Sequence, residues 1–344
     1  MMAGFAVLLM MCHHLYDFPN WLDDGVGWET SLGYFGKASA ELVGIFGSIC
    51  VQVFALMSGY ALMTNPVSYG TWRKRINRLM KFLLAYWTVN ILFLIIGFVN
   101  NDTMPEVEDL LFNLIGLRTG PTLAWVNVPF AWYVCYYIEF IFLTPLLIWG
   151  FGSSKKILDI TMSIAMMLLV FIARQTPCIA AVYLSPLLST VLGIIIAKYG
   201  IFNKLQRNVT GRLHWTLLIA AIILVIIFRY EVGKLNPNGG VNWGFFMQIF
   251  LAIVAAALIL FSVEIFHRIR SRRFKNSLML LGSLSMYLWF LHGIFFTGKN
   301  FMQPIIFAAK EPILILIVCT IVLLPVAWLL RHFQCFLEKK IFTL

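Results

Sequence analysis

Two histidines close the first apolar run of the sequence, in the stretch MMCHHLYDF at residues 10–18. His14 is followed at i+3 by Asp17, one turn further along a helix and on the same face. A carboxylate at that position fixes the tautomer of an imidazole and raises its basicity. The spacing therefore predicts His14 as a general base with Asp17 as its orienting partner. The alternative is an interfacial histidine bonded to water or lipid headgroups.

A third histidine, His292, lies in another apolar run at 277–297. Both runs are expected to cross the membrane in the same direction, and His14 and His292 lie at similar depths along them. We therefore predict that the two imidazoles share one cavity. His13 points about 100° away from His14 around a helix, so one helix face does not easily use both. We assign His13 and His292 to the lining of a substrate pocket.

Glu139 and Ser58, which lie in two other apolar runs, are candidates for the same pocket. A charged group at the bilayer centre costs about 2.5–3.5 kcal/mol on insertion scales, so such residues are informative. Glu139 lies in the middle of WYVCYYIEFIFLTP and must be protonated, paired or in contact with water. Ser58 and Gln52 are uncharged, and contacts between helices are the favoured interpretation for them. A tie to a neighbouring helix is the alternative for Glu139.

The loop TWRKRINRLMKF at 71–82 carries a different kind of site. Arg75 and Arg78 are spaced i, i+3 at the predicted start of a helix, so they share one face. Two guanidinium groups on one face form a good clamp for phosphate groups. The alternative is a basic anchor beside anionic lipid.

The elements that position these residues are predicted to be transmembrane helices. Hydrophobic residues make up 61% of the 344 residues and charged residues 12%, and the mean hydropathy is +0.87. These values are typical of an integral membrane protein. We predict an all-α polytopic fold with about ten transmembrane helices in a single domain over 1–344. The apolar segments are 1–16, 39–63, 82–99, 131–150, 157–173, 183–200, 215–230, 243–263, 277–297 and 312–331.

The charge distribution predicts the topology. The net charge is +11, but most of the basic residues fall in alternate loops, which indicates membrane orientation and argues against nucleic acid as a partner. The basic clusters are expected to be cytoplasmic, so both termini are cytoplasmic and the number of spans is even. The six cysteines show no paired spacing, and no metal is expected. The basic clusters lie at 73–81, 155–156, 198–212, 268–275 and 331–340.

Several short motifs, taken in order, resemble a known family. The sequence is similar to a membrane-bound acyltransferase of the acyltransferase-3 family, whose members mostly O-acylate carbohydrates of the cell envelope. The Arg-x-x-Arg of that family matches RINR, and its Ser-aromatic-Leu-His helix matches LGSLSMYLWFLHGIFF. The matching segments are AGFAVLLMMCHH (3–14), GSICVQVFALMSGYAL (47–62), RINR (75–78), AWYVCYYIEFIFLTPLL (131–147) and LGSLSMYLWFLHGIFF (281–296).

The resemblance implies an activity and its partners. It implies transfer of an acyl group, with acetyl expected, from cytoplasmic acyl-CoA to a hydroxyl of an envelope carbohydrate or glycolipid. Arg75 and Arg78 would bind the CoA phosphates, and His14 would act as the base. The expected location is the bacterial cytoplasmic membrane, as a multi-pass protein in contact with lipid. The resemblance is also compatible with a homo-oligomer.

One position departs from the family pattern. The family has a basic residue where this chain has Ala3. The alternatives are a gene start upstream of Met1, a charge supplied from elsewhere, or an inactive copy that serves as an assembly partner. A transporter or flippase for an envelope polysaccharide intermediate is the rival function, because it would use the same intramembrane polar residues.

Overall fold

The architecture was analysed in a computed structural model, and all regular structure in the part of the chain it describes is helical. Apolar runs of this length satisfy every backbone hydrogen bond internally only as helices when lipid surrounds them. The structure describes residues 1–16, 34–99, 107–116, 132–175, 184–208, 241–295, 302–308 and 311–342, together with isolated positions between 216 and 227.

Fourteen helices are defined in the described residues, with two short 3₁₀ turns at Pro66–Tyr69 and His292–Phe295. They are α1 (Met2–Tyr16), α2 (Tyr34–Gly47), α3 (Cys50–Thr64), α4 (Trp72–Val99), α5 (Val107–Asn113), α6 (Trp132–Phe151), α7 (Lys156–Gln175), α8 (Leu187–Tyr199), α9 (Ile201–Asn208), α10 (Val241–Arg268), α11 (Arg272–Ser283), α12 (Ser285–Leu291), α13 (Met302–Phe307) and α14 (Pro312–Phe342).

Within the described residues, fewer helices qualify as membrane-crossing than the ten expected from hydropathy. Six helical stretches of the described residues are long and apolar enough to cross a membrane, and α11 with α12 forms a seventh if the bent pair is one span. Two further predicted segments form the apolar helices α1 and α8, which are shorter than a full span. The predicted segment 215–230 lies outside the described residues, apart from isolated positions. The chain is therefore a multi-pass membrane protein, and the count of ten is not confirmed.

Small residues bring helices α3 and α8 into backbone contact. A Cβ atom added at Gly59 would lie 2.0 Å from the carbonyl oxygen of Thr190. A Cβ at Gly193 would lie 2.1 Å from the carbonyl oxygen of Leu56. Close approach through small residues is the usual way in which helices associate in lipid, where no hydrophobic effect drives them together.

Helix α1 is largely buried and packs against α11 in the same way. A Cβ at Gly4 would lie 2.1 Å from the carbonyl oxygen of Leu278. Ala3, which occupies the position of the family's basic residue, lies beside Gly282 of α11 at this contact. The start of α1 is therefore held against α11, and its last turn, which carries His14, is held at a defined depth.

The chain bends between α11 and α12. The two helices meet at an angle of 63° at Leu284, which separates Ser283 from Ser285. Breaks of this kind in membrane proteins occur where the irregular backbone is buried in protein or lines a cavity. The bend directs α12 and the following 3₁₀ turn, which begins at His292, towards α1.

An ion pair fixes the ends of α7 and α8 that carry basic residues. The Lys198 Nζ lies 2.6 and 2.7 Å from the two carboxylate oxygens of Asp159. The Tyr199 hydroxyl donates to the same carboxylate at 2.5 Å. Asp159 is buried, and an unpaired carboxylate would be costly there. The Lys198 ammonium and the Tyr199 hydroxyl offset that cost.

Candidate active site

The structure brings His14 and His292 into direct contact, as their matching depths predicted. The Nε2 of His292 lies 2.9 Å from the Nδ1 of His14, and the two ring centroids are 4.7 Å apart. Both residues are buried, with exposed fractions of 7% and 1%. Helix α1 supplies one imidazole from its last turn, and the 3₁₀ turn after α12 supplies the other.

The backbone acceptors around this pair determine its tautomers. The Nδ1 of His292 lies 3.2 Å from the carbonyl oxygen of Leu288, so Nδ1 carries the proton and donates to that carbonyl. The Nε2 of neutral His292 is then an acceptor, and the Nδ1–H of His14 donates to it. The same Nδ1 of His14 lies 3.1 Å from the carbonyl oxygen of Met10. In the neutral pair the lone pair of His14 therefore resides on Nε2.

His13 lies next to His14 but faces a different helix. Its Nδ1 is 2.9 Å from the carbonyl oxygen of Gly44 in α2, and its ring centroid is 4.8 Å from that of His14. His13 thus joins α1 to α2, as its divergent direction around the helix indicated. Asp17, the predicted orienting carboxylate, lies outside the described residues.

The two arginines lie on the first turns of α4, beside aromatic rings. The Arg78 Nη1 donates to the Tyr69 hydroxyl at 2.9 Å, and its guanidinium carbon lies 4.3 Å from the centre of the Tyr69 ring. Burial raises the pKa of the Tyr69 phenol above its usual value, and the Arg78 charge opposes that rise.

Arg75 is less fully engaged. Its guanidinium carbon lies 5.5 Å from the centre of the Trp72 ring. Its Nε is buried and has no hydrogen-bond partner among the described residues. Leaving a buried donor of this kind without a hydrogen bond costs free energy. The Arg75 Nε is therefore suited to an acceptor atom that arrives with a ligand.

An aromatic cavity is lined by residues of α4 and α12, the helices that carry the arginines and lead to His292. It has a volume of about 150 Å³. Phe82 and Tyr137 stack at 4.1 Å next to Arg78, and Trp289 lies one turn before His292. The cavity is lined by Phe54, Phe82, Tyr133, Tyr137, Ser285, Met286, Trp289 and Phe290.

Neither Ser58 nor Glu139 lines this cavity, although Ser58 lies one turn after the lining residue Phe54 on α3. The Ser58 hydroxyl donates to the carbonyl oxygen of Phe54 at 2.9 Å. The Glu139 Oε2 is buried without a hydrogen-bond partner among the described residues. Gln52 donates to the Gln248 Oε1 at 2.9 Å and so joins α3 to α10, as expected for a residue between helices.

The cavity walls are the part of the site that the sequence interpretation missed. Tyr133 and Tyr137 are spaced i, i+4 on α6, so the sequence indicated a shared face. That spacing cannot say whether the face meets lipid, protein or a cavity. Trp289 and Phe290 are adjacent, and both reach the cavity because the bend at Leu284 turns α12 towards it.

Comparison with known proteins identifies the family. A family model described as an acyltransferase domain, acyltransferase-3, matches residues 2–332. No curated protein and no solved structure matches the chain. The match includes both histidines of the buried pair and both arginines of α4. The chain therefore belongs to the acyltransferase-3 family and is a membrane acyltransferase by that membership.

Proposed function

We propose that the protein transfers an acyl group, with acetyl as the expected group, from acyl-CoA to a hydroxyl of an envelope carbohydrate. The observation that carries the proposal is the buried contact between His14 and His292. An aromatic cavity lies on the helices that carry His292 and the arginines, with Trp289 of α12 and Phe82 of α4 in its lining. The proposed location is the bacterial cytoplasmic membrane, with the donor on the basic side and the acceptor on the opposite side.

The donor would bind with its phosphates on the arginines. Arg75 offers a buried donor without a partner among the described residues, and guanidinium groups bind phosphate in a bidentate manner. From Arg78 a chain of ring contacts leads inward. Phe82 follows one turn later, about 6 Å along α4, and its ring lies 6.0 Å from that of Phe290. A long, slender arm such as the pantetheine of CoA suits this path.

The acyl transfer would use the Nε2 of His14 as the base. Nε2 takes the proton from the acceptor hydroxyl while the hydroxyl oxygen bonds to the thioester carbonyl carbon. The tetrahedral intermediate then collapses, and the bond between carbon and sulfur breaks. The thiolate of CoA leaves and receives the proton from the His14 imidazolium. The products are an ester and free CoA, so the base is regenerated.

His292 would act through His14. By accepting from Nδ1–H, it holds His14 in the tautomer whose lone pair is on Nε2. The same hydrogen bond stabilises the imidazolium that forms when Nε2 gains a proton. We also propose Asp17 as a second orienting group, and His13, Ser58 and Glu139 as contributors to the substrate pocket.

Calorimetry on the purified protein tests the donor site. Acetyl-CoA is titrated into wild type, into Arg75→Ala/Arg78→Ala, and into the matched control Lys155→Ala/Lys156→Ala. The control removes two exposed lysines at the start of α7, on the same basic side. We expect binding by wild type and control and its loss in the arginine variant. Equal binding by all three proteins would exclude Arg75 and Arg78 as the donor site.

The same titration separates the enzyme from the rival transporter. The bend of 63° between α11 and α12 also fits a transporter, since broken helices line many transport sites. A well-folded wild type that binds no acyl-CoA would favour transport of an envelope intermediate. Binding followed by transfer of the labelled acyl group to a carbohydrate would favour the enzyme.

A further inference from the structure

A second cavity lies on the periphery of the molecule, away from the histidines. It occupies about 300 Å³ between α8, α9 and α10, at the lower end of the range for ligand sites. The small side chains of Ala256 and Ala257 leave the space. Leu205 and Ile253 are partly exposed at its edges, so this groove opens to the surroundings. Its lining is Leu192, Ile196, Ile201, Phe202, Leu205, Ile253, Ala256, Ala257, Leu260 and Phe261.

The orientation of α9 places this groove at one end of the spanning helices. Gly200 has φ +59°, a backbone conformation that favours glycine, and it ends α8 with a sharp turn. Ile201, Phe202 and Leu205 of α9 face the groove, while Lys204 is exposed. A short helix with one apolar and one polar face is typical of the membrane interface.

We define the mouth of the groove by the charged side chains that follow its lining residues along α9 and α10, namely Lys204, Glu264 and Arg268. Lys204 follows Ile201 by three positions and so flanks the groove face of α9. On α10 the groove residue Leu260 is followed, at successive intervals of four, by Glu264 and Arg268. Arg268 pairs with the Glu264 Oε1 through Nε at 3.0 Å and Nη2 at 2.7 Å. With two cations and one carboxylate, the mouth carries a net positive charge.

We propose that this groove binds an anionic phospholipid, with one acyl chain in the groove and the phosphate at Lys204 and Arg268. The walls are wholly apolar, so they suit a hydrocarbon chain. The charged groups of the mouth follow the groove lining along α9 and α10, in the direction of the basic ends of these helices. Anionic headgroups are attracted to such clusters by about 1 kcal/mol per basic residue.

The groove also adjoins the helix that carries part of the candidate active site. The Phe202 ring stacks on that of Tyr60 in α3 at 6.0 Å, and α3 supplies Phe54 and Ser58 to the site. A lipid acyl chain in the groove would pack against Phe202, whose ring also stacks on Tyr60. Bound anionic lipid is therefore expected to stabilise the α3–α8–α9 assembly against heat.

Native mass spectrometry of the full chain in detergent tests the proposal. The protein is titrated with phosphatidylglycerol or phosphatidylcholine that have the same acyl chains. We expect the first phosphatidylglycerol to bind several-fold more tightly than the first phosphatidylcholine. Lys204→Ala should weaken the first phosphatidylglycerol about fivefold and leave phosphatidylcholine unchanged. The matched control is Lys156→Ala, an exposed lysine on α7 that does not line the groove.

A variant with a large side chain in the groove tests whether the lipid's acyl chain occupies it. Ala257→Phe should remove the first binding event for both lipids. If that variant does not elute as a single species, Leu205→Gln, which places an amide in the groove, replaces it. Equal affinities for the two lipids would overturn the proposal. So would equal effects of Lys204→Ala and Lys156→Ala, or unchanged binding in a folded groove-filling variant.

Discussion

At the scale of single residues, sequence patterns predicted which two histidines come together better than they predicted the groups around them. The depths of His14 and His292 along their apolar runs predicted a shared cavity, and their nitrogens lie 2.9 Å apart. The acceptors that fix their tautomers, the carbonyls of Met10 and Leu288, could not be predicted. They depend on side-chain torsions that hydropathy does not encode. The role of Asp17 stays a prediction.

Replacing the proposed base should abolish transfer and preserve donor binding. His14→Ala is expected to lower kcat by about 10²–10⁴-fold, the usual contribution of general base catalysis. The affinity for acetyl-CoA should change little, because the proposed phosphate site lies on α4 and not on α1. Transfer of labelled acetyl group and calorimetry measure the two quantities. Unchanged kcat in a folded variant would exclude His14 as the base.

Replacing His292 should reveal a positioning role. His292→Ala removes one of the two acceptors for the Nδ1–H of His14 and leaves the Met10 carbonyl. We expect kcat to fall about 10²-fold, at the lower end of the range for base catalysis. His292→Asn retains a side-chain acceptor and should restore part of that loss, with KM nearly unchanged. Rates at several pH values for the three proteins provide the comparison. Identical rates for the Ala and Asn variants would argue for packing alone.

At the scale of elements, the tight contact between α3 and α8 positions α3, which supplies Phe54 to the cavity lining. Gly193→Leu places a side chain where a Cβ alone would meet the Leu56 carbonyl oxygen at 2.1 Å. Overpacking of this kind costs about 1–3 kcal/mol or more, so we expect a lower Tm in detergent. Gly70→Ala is the control, since its Cβ would have no neighbour closer than 3.5 Å. A Tm equal to that of the control would contradict the contact.

The ion pair between α7 and α8 gives a second test at this scale. Lys198→Met leaves the buried Asp159 carboxylate without its cation, and breaking a buried pair costs about 3–5 kcal/mol. Glu264→Gln breaks the more exposed pair with Arg268, for which about 0–1 kcal/mol is expected. Thermal unfolding of both variants should therefore show a large loss for the first and a small one for the second. Equal losses would show that burial does not govern these pairs.

At the scale of the whole molecule, hydropathy predicted the class but not the number of spans. The long runs became the stretch Ala40–Thr64 and the helices α4, α6, α7, α10 and α14, which are long and apolar enough to cross a membrane. The count of ten failed confirmation at α1 and α8, which are apolar but short. It also failed at the run 277–297, which bends by 63°. Hydropathy is averaged over a window of residues, so it cannot detect a bend within that window. It also cannot show which neighbouring helices pack around a short apolar helix.

The aromatic wall of the cavity has an optical consequence. Trp289 lies with its ring 5.0 Å from that of Tyr133 and 5.5 Å from that of Phe54, and indole emission responds to polarity and to neighbouring rings. The chain contains 11 tryptophans, so the emission of wild type minus that of Trp289→Phe isolates this one indole. A donor that enters the cavity should shift that difference spectrum, so the protein carries its own fluorescent reporter of occupancy.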